Sequence, residues 1–356
     1  MRFAFSIYSA NLTSVRRLST TIRISDSTIS SDWIRSIMSK ACDFTHIPVL
    51  FNECMAELNI KPDGVYVDCT AGGGGHSTGI LERLGPKGRL ISLDKDDEAL
   101  EVCKLRREQY PDKNWEIVKS DFSSVKDVLA ELEIEKVDGI LADLGVSSHQ
   151  IDTPERGFSY ATEGPLDMRM DISSKLDAAT VVNTYDEASL TRILRLYGEE
   201  RFAGRIAAGI VRDRKENPFT STLQLASKIA SYVPGKARNE DQHPARRCFQ
   251  AIRIEVNHEL DSVETLLREG VRLLNPEGRF AVISFHSLED RLVKENFKEF
   301  ASPCTCPREF PVCVCGKKSL GTVITGKPIT ASEDEVKENS RAHCCKLRVF
   351  ERNNEQ

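Results

Sequence analysis

A run of four glycines, an acid about 20 residues further on and a second acid closing a later apolar run are the parts of a nucleoside site. The run lies in Asp68-Cys69-Thr70-Ala71-Gly72-Gly73-Gly74-Gly75-His76. Without Cβ atoms, such a loop lets a ligand approach the backbone. Asp94 closes the next apolar run and stands where an acid accepts both ribose hydroxyls. Asp143 ends Leu141-Ala142-Asp143-Leu144-Gly145-Val146-Ser147-Ser148 and either grips a ligand group or caps a turn. A dinucleotide fingerprint ending at Gly79 would need glycine at position 76, which is His76, and no Lys follows the glycines as a Walker loop requires. S-adenosylmethionine carries no pyrophosphate and needs close approach rather than an anion nest. The loop therefore fits the methyl donor better than NAD.

Two further clusters can do chemistry. Cys304, Cys306, Cys313 and Cys315 form C-x-C-x6-C-x-C. Four thiolates on a short loop can hold a structural tetrahedral zinc, although this spacing is tighter than in the commonest zinc ribbons, so a metal-free loop stays open too. Residues 149–257 hold 16 Lys+Arg against 15 Asp+Glu, a net of +1 in a chain of net −5, and 12 of the 16 are Arg, the residue suited to phosphate forks and base stacking. Lys236, Arg238, Arg246, Arg247 and Arg253 are the densest group and read as an RNA-facing surface; a solvated helix face is the plainer alternative.

Positioning these residues takes an α/β frame. Val65–Asp68, Arg89–Asp94, Trp115–Val118 and Val137–Ala142 read as strands separated by helical stretches, the rhythm of a parallel sheet covered on both faces. After Asp143 the rhythm turns helical: Leu190, Ile193, Leu194 and Tyr197, then Phe202, Ile206 and Ile210, then Leu223, Ala226 and Ile229 recur at helical spacing, and a further helical pattern spans about Pro244 to Leu274. The turn Asn275-Pro276-Glu277-Gly278 leads into a strand Arg279–Phe285, and Lys346–Phe350 is a last strand. The boundaries expected are 32–148 and 251–356 for the two parts of the sheet and 149–250 for a helical insertion that meets the substrate.

Composition bounds the rest. In 356 residues, 40% are hydrophobic and 29% charged, which suffices for a core and excludes global disorder. No apolar run approaches the ~20 residues of a membrane span, and eleven mostly scattered Cys do not make a disulfide scaffold. The first 25 residues hold Arg2, Arg16, Arg17 and Arg23 with no acid and many Ser and Thr, the composition of an organelle transit peptide; a mitochondrial presequence is expected over residues 1–31, a disordered tail being the plainer alternative. The expected location is the mitochondrial matrix.

Several long blocks resemble the MraW-type ribosomal RNA cytosine-N(4) methyltransferases: His46–Leu50, Asp68–His76, Asp143–Ser148, Glu155–Ser159, Gly164–Asp171, Tyr197–Phe202 and Ser284–Arg291, in family order. The resemblance implies a Rossmann-like methyltransferase sheet with an inserted helical domain, S-adenosylmethionine as cofactor, and a cytosine in the decoding region of small-subunit rRNA as target. With the presequence, it implies mitochondrial (12S) rRNA or an assembling small subunit as partner; the oligomeric state stays open, a homodimer included. Methyl-donor contacts carry over to Gly74, Gly75, His76, Asp94, Phe122, Asp143 and Gln150. Cytosine's amine is a weak nucleophile, so an acceptor must polarise it as the C–N bond forms. Asp143 is the first candidate, with Ser147 and Ser148 as hydrogen-bond partners, and His286 and Asp290 come second. An oxidoreductase on the same sheet and an assembly factor that has lost catalysis are the rival readings.

Overall fold

The structure is a computed structural model that describes residues 48–235, 243–307, 309–310 and 312–354. The expected presequence, His46, Ile47, Lys236 and Arg238 lie outside the described residues. In chain order the elements of the first half are α1 (Phe51–Glu57), β1 (Val65–Asp68), α2 (Gly75–Arg83), β2 (Arg89–Asp94), α3 (Asp97–Arg107), β3 (Asn114–Lys119), α4 (Val125–Glu131) and β4 (Val137–Asp143). Next come α5 (Ser148–Asp152), α6 (Ala178–Thr184), α7 (Glu187–Leu196), α8 (Ala203–Asp213), α9 (Thr222–Tyr232), α10 (Ala245–Asn257) and α11 (Glu259–Leu273). The chain then returns to the sheet with β5 (Leu274–Ser284), α12 (Ser287–Ala301), β6 (Gly321–Val323), α13 (Glu333–Glu338) and β7 (Lys346–Arg352).

The seven strands lie in the order β3-β2-β1-β4-β5-β7-β6. The first five are parallel; β7 runs antiparallel to both β5 and β6. Leu90, Ile91, Ser92 and Leu93 of β2 and Ile140, Leu141 and Ala142 of β4 are fully buried, the continuous apolar pattern of strands covered on both faces. Sequence order reverses between β1 and β4, and ligands of open α/β sheets bind outside the strand ends at such a switch point. One sheet face packs Tyr66, Ile80 and Trp115, the other Ile140, Leu266 and Phe280, and the helices between β4 and β5 bury a core of their own around Ile193, Ile206 and Ile229. No helix among the described residues is long and apolar enough to cross a membrane.

Four local details differ from the sequence reading. Asn275–Gly278 lies within β5 as an irregularity: Val137 pairs with Leu274 and Gly139 with Arg279, so three extra residues loop out, with Glu277 at φ +62°. The helical pattern of 244–274 is two helices broken at His258 (φ +52°). On α9 the core is met by Leu225, Ala226 and Ile229, whereas Leu223 is 40% exposed. The short strand β6 was not foreseen.

Candidate active site

The glycine run makes the turn from β1 into α2. Gly72 (φ +49°) and Gly74 (φ +77°) both sit in the left-handed region, which other residues enter only with strain. The Gly72 N–H donates to Asp94 Oδ2 (2.8 Å) and the Asp96 N–H donates to Asp94 Oδ1 (2.9 Å), so the acid ending β2 is fixed by the loop ending β1. Burial pushes the Asp94 carboxyl up to about 6; the two N–H bonds oppose the rise and the Asp96 and Asp68 charges add to it. Asp94, Phe122, Asp143, Gly145, Gln150 and Met170 line one cavity. Phe122 opens a short turn capped by Asp121, which Lys95 holds at 3.1 Å.

Asp68, at the foot of the loop, carries no solvent exposure. Trp115 Nε1–H donates to Ser92 Oγ (2.8 Å), the Ser92 and Ser77 hydroxyls bond to each other (2.8 Å), and Ser77 Oγ donates to Asp68 Oδ2 (2.6 Å). Burial raises the Asp68 carboxyl against the pull of the Ser77 hydroxyl, of His76 and of the Thr70 N–H. This relay links β3, β2, α2 and the end of β1 inside the core. Sequence reading saw Asp68 only as part of the loop.

A second, larger cleft of ≈ 940 Å³ adjoins the first. Both are lined by Thr70, Gly72, Asp143, Gly145, Val146, Ser147 and Phe285, which therefore form their common wall. Gly75, His76, Ser148, Arg246 and His286 also face this cleft, with the aromatic rings of Phe158, Tyr160 and Phe249. His76 is only 4% exposed, and its Nε2 lies 3.6 Å from Asp143 Oδ2. Neither His76 nitrogen nor Asp143 Oδ1 has a hydrogen-bond partner among the described residues. The Asp143 N–H donates to Thr70 Oγ1 (2.6 Å), which pins the backbone that carries the acid.

The other expected residues divide between wall and framework. Ser147 caps α5: its Oγ accepts the Gln150 N–H, and its own N–H donates to Gln150 Oε1 (3.0 Å). Gln150 Nε2 donates to Asp96 Oδ2 (2.7 Å), so both ends of its amide are engaged. Arg156 completes the knot, with Nη1 at 2.8 Å from Asp96 and 3.0 Å from Glu98 and Nη2 on the Arg169 and Met170 carbonyls. His286 Nδ1 accepts the Glu289 N–H as cap of α12, and its Nε2 is 3.2 Å from Glu289 Oε1. Burial works against the Glu289 charge, yet His286, Arg253 and the Phe285 N–H hold the carboxyl below its usual range. Asp290 binds Arg348 (2.7 Å) and Lys346 (2.9 Å) and ties α12 to β7.

Three expectations meet a different arrangement. Gly74 lines neither cavity; it packs toward Cys103, Arg106 and Trp115, and Gly72 takes the place on the wall because the turn points its backbone there. Gly75 and His76 line the larger cleft rather than the Asp94 cavity. Arg253 spends its fork on Glu259, with both bonds at 2.8 Å, whereas Arg246 and Arg247 are exposed. The four cysteines do converge, between α12 and β6, and line neither cavity.

A seven-stranded sheet of this order, with a glycine turn and a loop-held acid at its switch point, defines a Rossmann-like methyltransferase of the S-adenosylmethionine-dependent class. The MraW methylase family model matches residues 43–353, and the chain belongs to that family. It is similar to ribosomal RNA small subunit methyltransferase H 2 of Agathobacter rectalis, at 54% identity over 87% of this chain and 99% of that one. The methyltransferase H proteins of Carboxydothermus hydrogenoformans (53% identity, 87% and 98% covered) and Clostridioides difficile (48%, 87% and 99%) are similar over the same span.

Proposed function

We propose that this chain methylates the exocyclic N(4) of a cytosine in the decoding region of small-subunit rRNA, and that in the cell this is mitochondrial 12S rRNA. Three separate supports carry the parts of that reading. The bacterial relatives are named as small-subunit rRNA methyltransferases; the cytosine and its decoding region rest on the motif resemblance; the mitochondrial setting rests on the acid-free, Arg- and Ser-rich first 25 residues. The observation that carries the chemistry is Asp143 on a wall common to two cavities.

The Asp94 cavity suits the donor. Each Asp94 oxygen takes one backbone N–H and keeps further lone-pair capacity for a ribose hydroxyl. Phe122 offers an aromatic face for a purine, and the Gly72 backbone admits close approach. Bound there, S-adenosylmethionine supplies an electrophilic methyl group on a sulfonium. On the other side of the wall, Phe158, Tyr160 and Phe249 offer rings against which a base splayed out of RNA stacks. The Asp143 carboxylate accepts a hydrogen of the target amine, orients its lone pair toward the methyl and takes up the proton as the C–N bond forms and the methyl's bond to sulfur breaks, with S-adenosylhomocysteine as the leaving group. His76, beside Oδ2, steadies the carboxylate. Ser147 and Ser148 shape the wall, and His286 closes the far side.

The test is methyl transfer from labelled S-adenosylmethionine to mitochondrial small-subunit rRNA and to precursor subunits, with nucleoside analysis. N(4)-methylcytidine is expected from the wild type, and Asp143→Asn lowers the rate about 10²–10⁴-fold at saturating donor. Full activity in that variant would remove Asp143 from the chemistry. Donor binding without product on either RNA would instead favour a non-catalytic assembly factor. A fusion of residues 1–31 to a reporter tests the address; cytosolic retention would refute it.

A further inference from the structure

None of the described residues in the segment joining α12 to β6 is buried. Phe310, Val312 and Val314 are 50%, 71% and 72% exposed, and its base is closed by the Leu320 N–H donating to the Phe300 carbonyl (2.8 Å). Even so, one sulfur from each of Cys304, Cys306, Cys313 and Cys315 lies within 4.8 Å of all the others. Cys313 Sγ is 3.5 Å from Cys304 Sγ, 3.8 Å from Cys306 Sγ and 3.4 Å from Cys315 Sγ, and Cys315 Sγ is 3.8 Å from Cys304 Sγ. Those separations are far beyond a disulfide bond of about 2.05 Å. They match the edge of a tetrahedron with metal–sulfur bonds of about 2.3 Å, which is about 3.8 Å.

We propose that Cys304, Cys306, Cys313 and Cys315 bind one Zn²⁺ as a closed tetrathiolate that folds this loop. Each C-x-C pair sends two sulfurs from alternate residues, which share a face of an extended chain. Gly316 (φ +67°) turns the chain directly after the last ligand, and the Val314 N–H donates to Cys306 Sγ (3.3 Å), a bond that favours a thiolate. Binding exchanges four S–H bonds for four Zn–S bonds and releases four protons to solvent. The resulting unit carries a charge of −2, opposed by Lys317 and Lys318 next in the chain. Four protein ligands leave no open position, so the ion is structural, and soft sulfur in tetrahedral array selects zinc or iron over harder ions.

Full-length protein purified in reducing, zinc-containing buffer and then desalted is expected to hold one zinc per chain by elemental mass spectrometry. Cys304→Ser and Cys313→Ser each lose it, and Cys344→Ser, outside the cluster, keeps it. Because a ligand variant can also misfold, the wild-type protein is stripped with chelator and titrated with Co²⁺ alone; a tetrahedral tetrathiolate gives intense d–d and sulfur-to-cobalt bands at one equivalent. Metal-free protein with four reactive thiols, a mass loss showing disulfides among these cysteines, bound iron in place of zinc, or an octahedral cobalt spectrum would each overturn the assignment.

Discussion

On the proposed reading, Asp94 makes the strength of donor binding depend on pH in a calculable way. Its carboxyl is pushed up to about 6, chiefly by burial, so the free protein carries it half protonated at that pH. If the ionised form accepts the ribose hydroxyls, every protonated molecule must lose its proton to bind. The apparent Kd is then the plateau value multiplied by one plus the protonated-to-ionised ratio, which is about 1.1 at pH 7, about 2 at pH 6 and about 11 at pH 5. The sign is fixed: a raised carboxyl pKa with binding to the charged form weakens affinity as pH falls, by about 1.4 kcal/mol at pH 5. Calorimetry with S-adenosylhomocysteine at pH 5, 6 and 7, in two buffers of different ionisation enthalpy, reads both the affinity and the proton released. That window stays below the ligand's own amine, near 8. Asp121 is held low and already ionised there, and Asp68 lies behind Ser77, away from both cavities. Asp94→Asn is expected to bind more weakly at pH 7 and to flatten the profile. A flat wild-type profile, or the same slope in the Asn variant, would refute the reasoning.

Three more perturbations separate framework from RNA contact. A Cβ at Gly164 would stand 1.9 Å from the Pro154 carbonyl oxygen, backbone that has nowhere to go, while one at Gly326 meets nothing within 4 Å. Gly164→Ala should therefore lose about 1–3 kcal/mol in urea unfolding, with Gly326→Ala within about 0.5. Arg246→Ala should weaken RNA binding and lower the salt slope by about 0.7 if it meets one phosphate of a single strand. Arg253→Ala should instead cost stability, about 3–5 kcal/mol, because it strands the buried Glu259; an unchanged unfolding midpoint would return Arg253 to the RNA surface.

The sheet was legible because its central strands are short apolar runs ending in acids, and position alone put Asp94 and Asp143 at the strand ends that line one cavity. What stayed hidden depended on contacts between distant segments. Nothing near Asp96 in the chain announces that it will receive Gln150 and Arg156 from the start of the helical stretch. Arg253 read as free charge because its partner Glu259 lies beyond the helix break at His258, and only that break folds the two together. On α9, Leu223 and Leu225 both suit a helical stripe, and packing against the neighbouring helices decides for Leu225. Four glycines in a row likewise conceal which ones turn the chain and which one faces the ligand. Those choices are made by φ values and by the Asp94 carboxylate.

The same contacts explain why several motif blocks that look like chemistry are fasteners. Arg169 is spent on Asp167 (2.7 Å), the Met168 carbonyl on Asn257 (2.7 Å), and Glu199 on Ser287 (2.6 Å) and Arg291 (3.0 Å). Folding satisfies nearly all buried polar atoms, so those left without a partner mark where something else is expected to bind. Among the described residues, three such side-chain atoms, both His76 nitrogens and Asp143 Oδ1, belong to residues lining one cleft, where His286 Nε2 has only its ion contact to Glu289. The polar side-chain atoms of His76 and Asp143 meet only each other there, at 3.6 Å, whereas Arg156 and Glu199 are each held by several bonds. On the proposed reading, an entering base gives Asp143 the partner toward which its pinned backbone holds it.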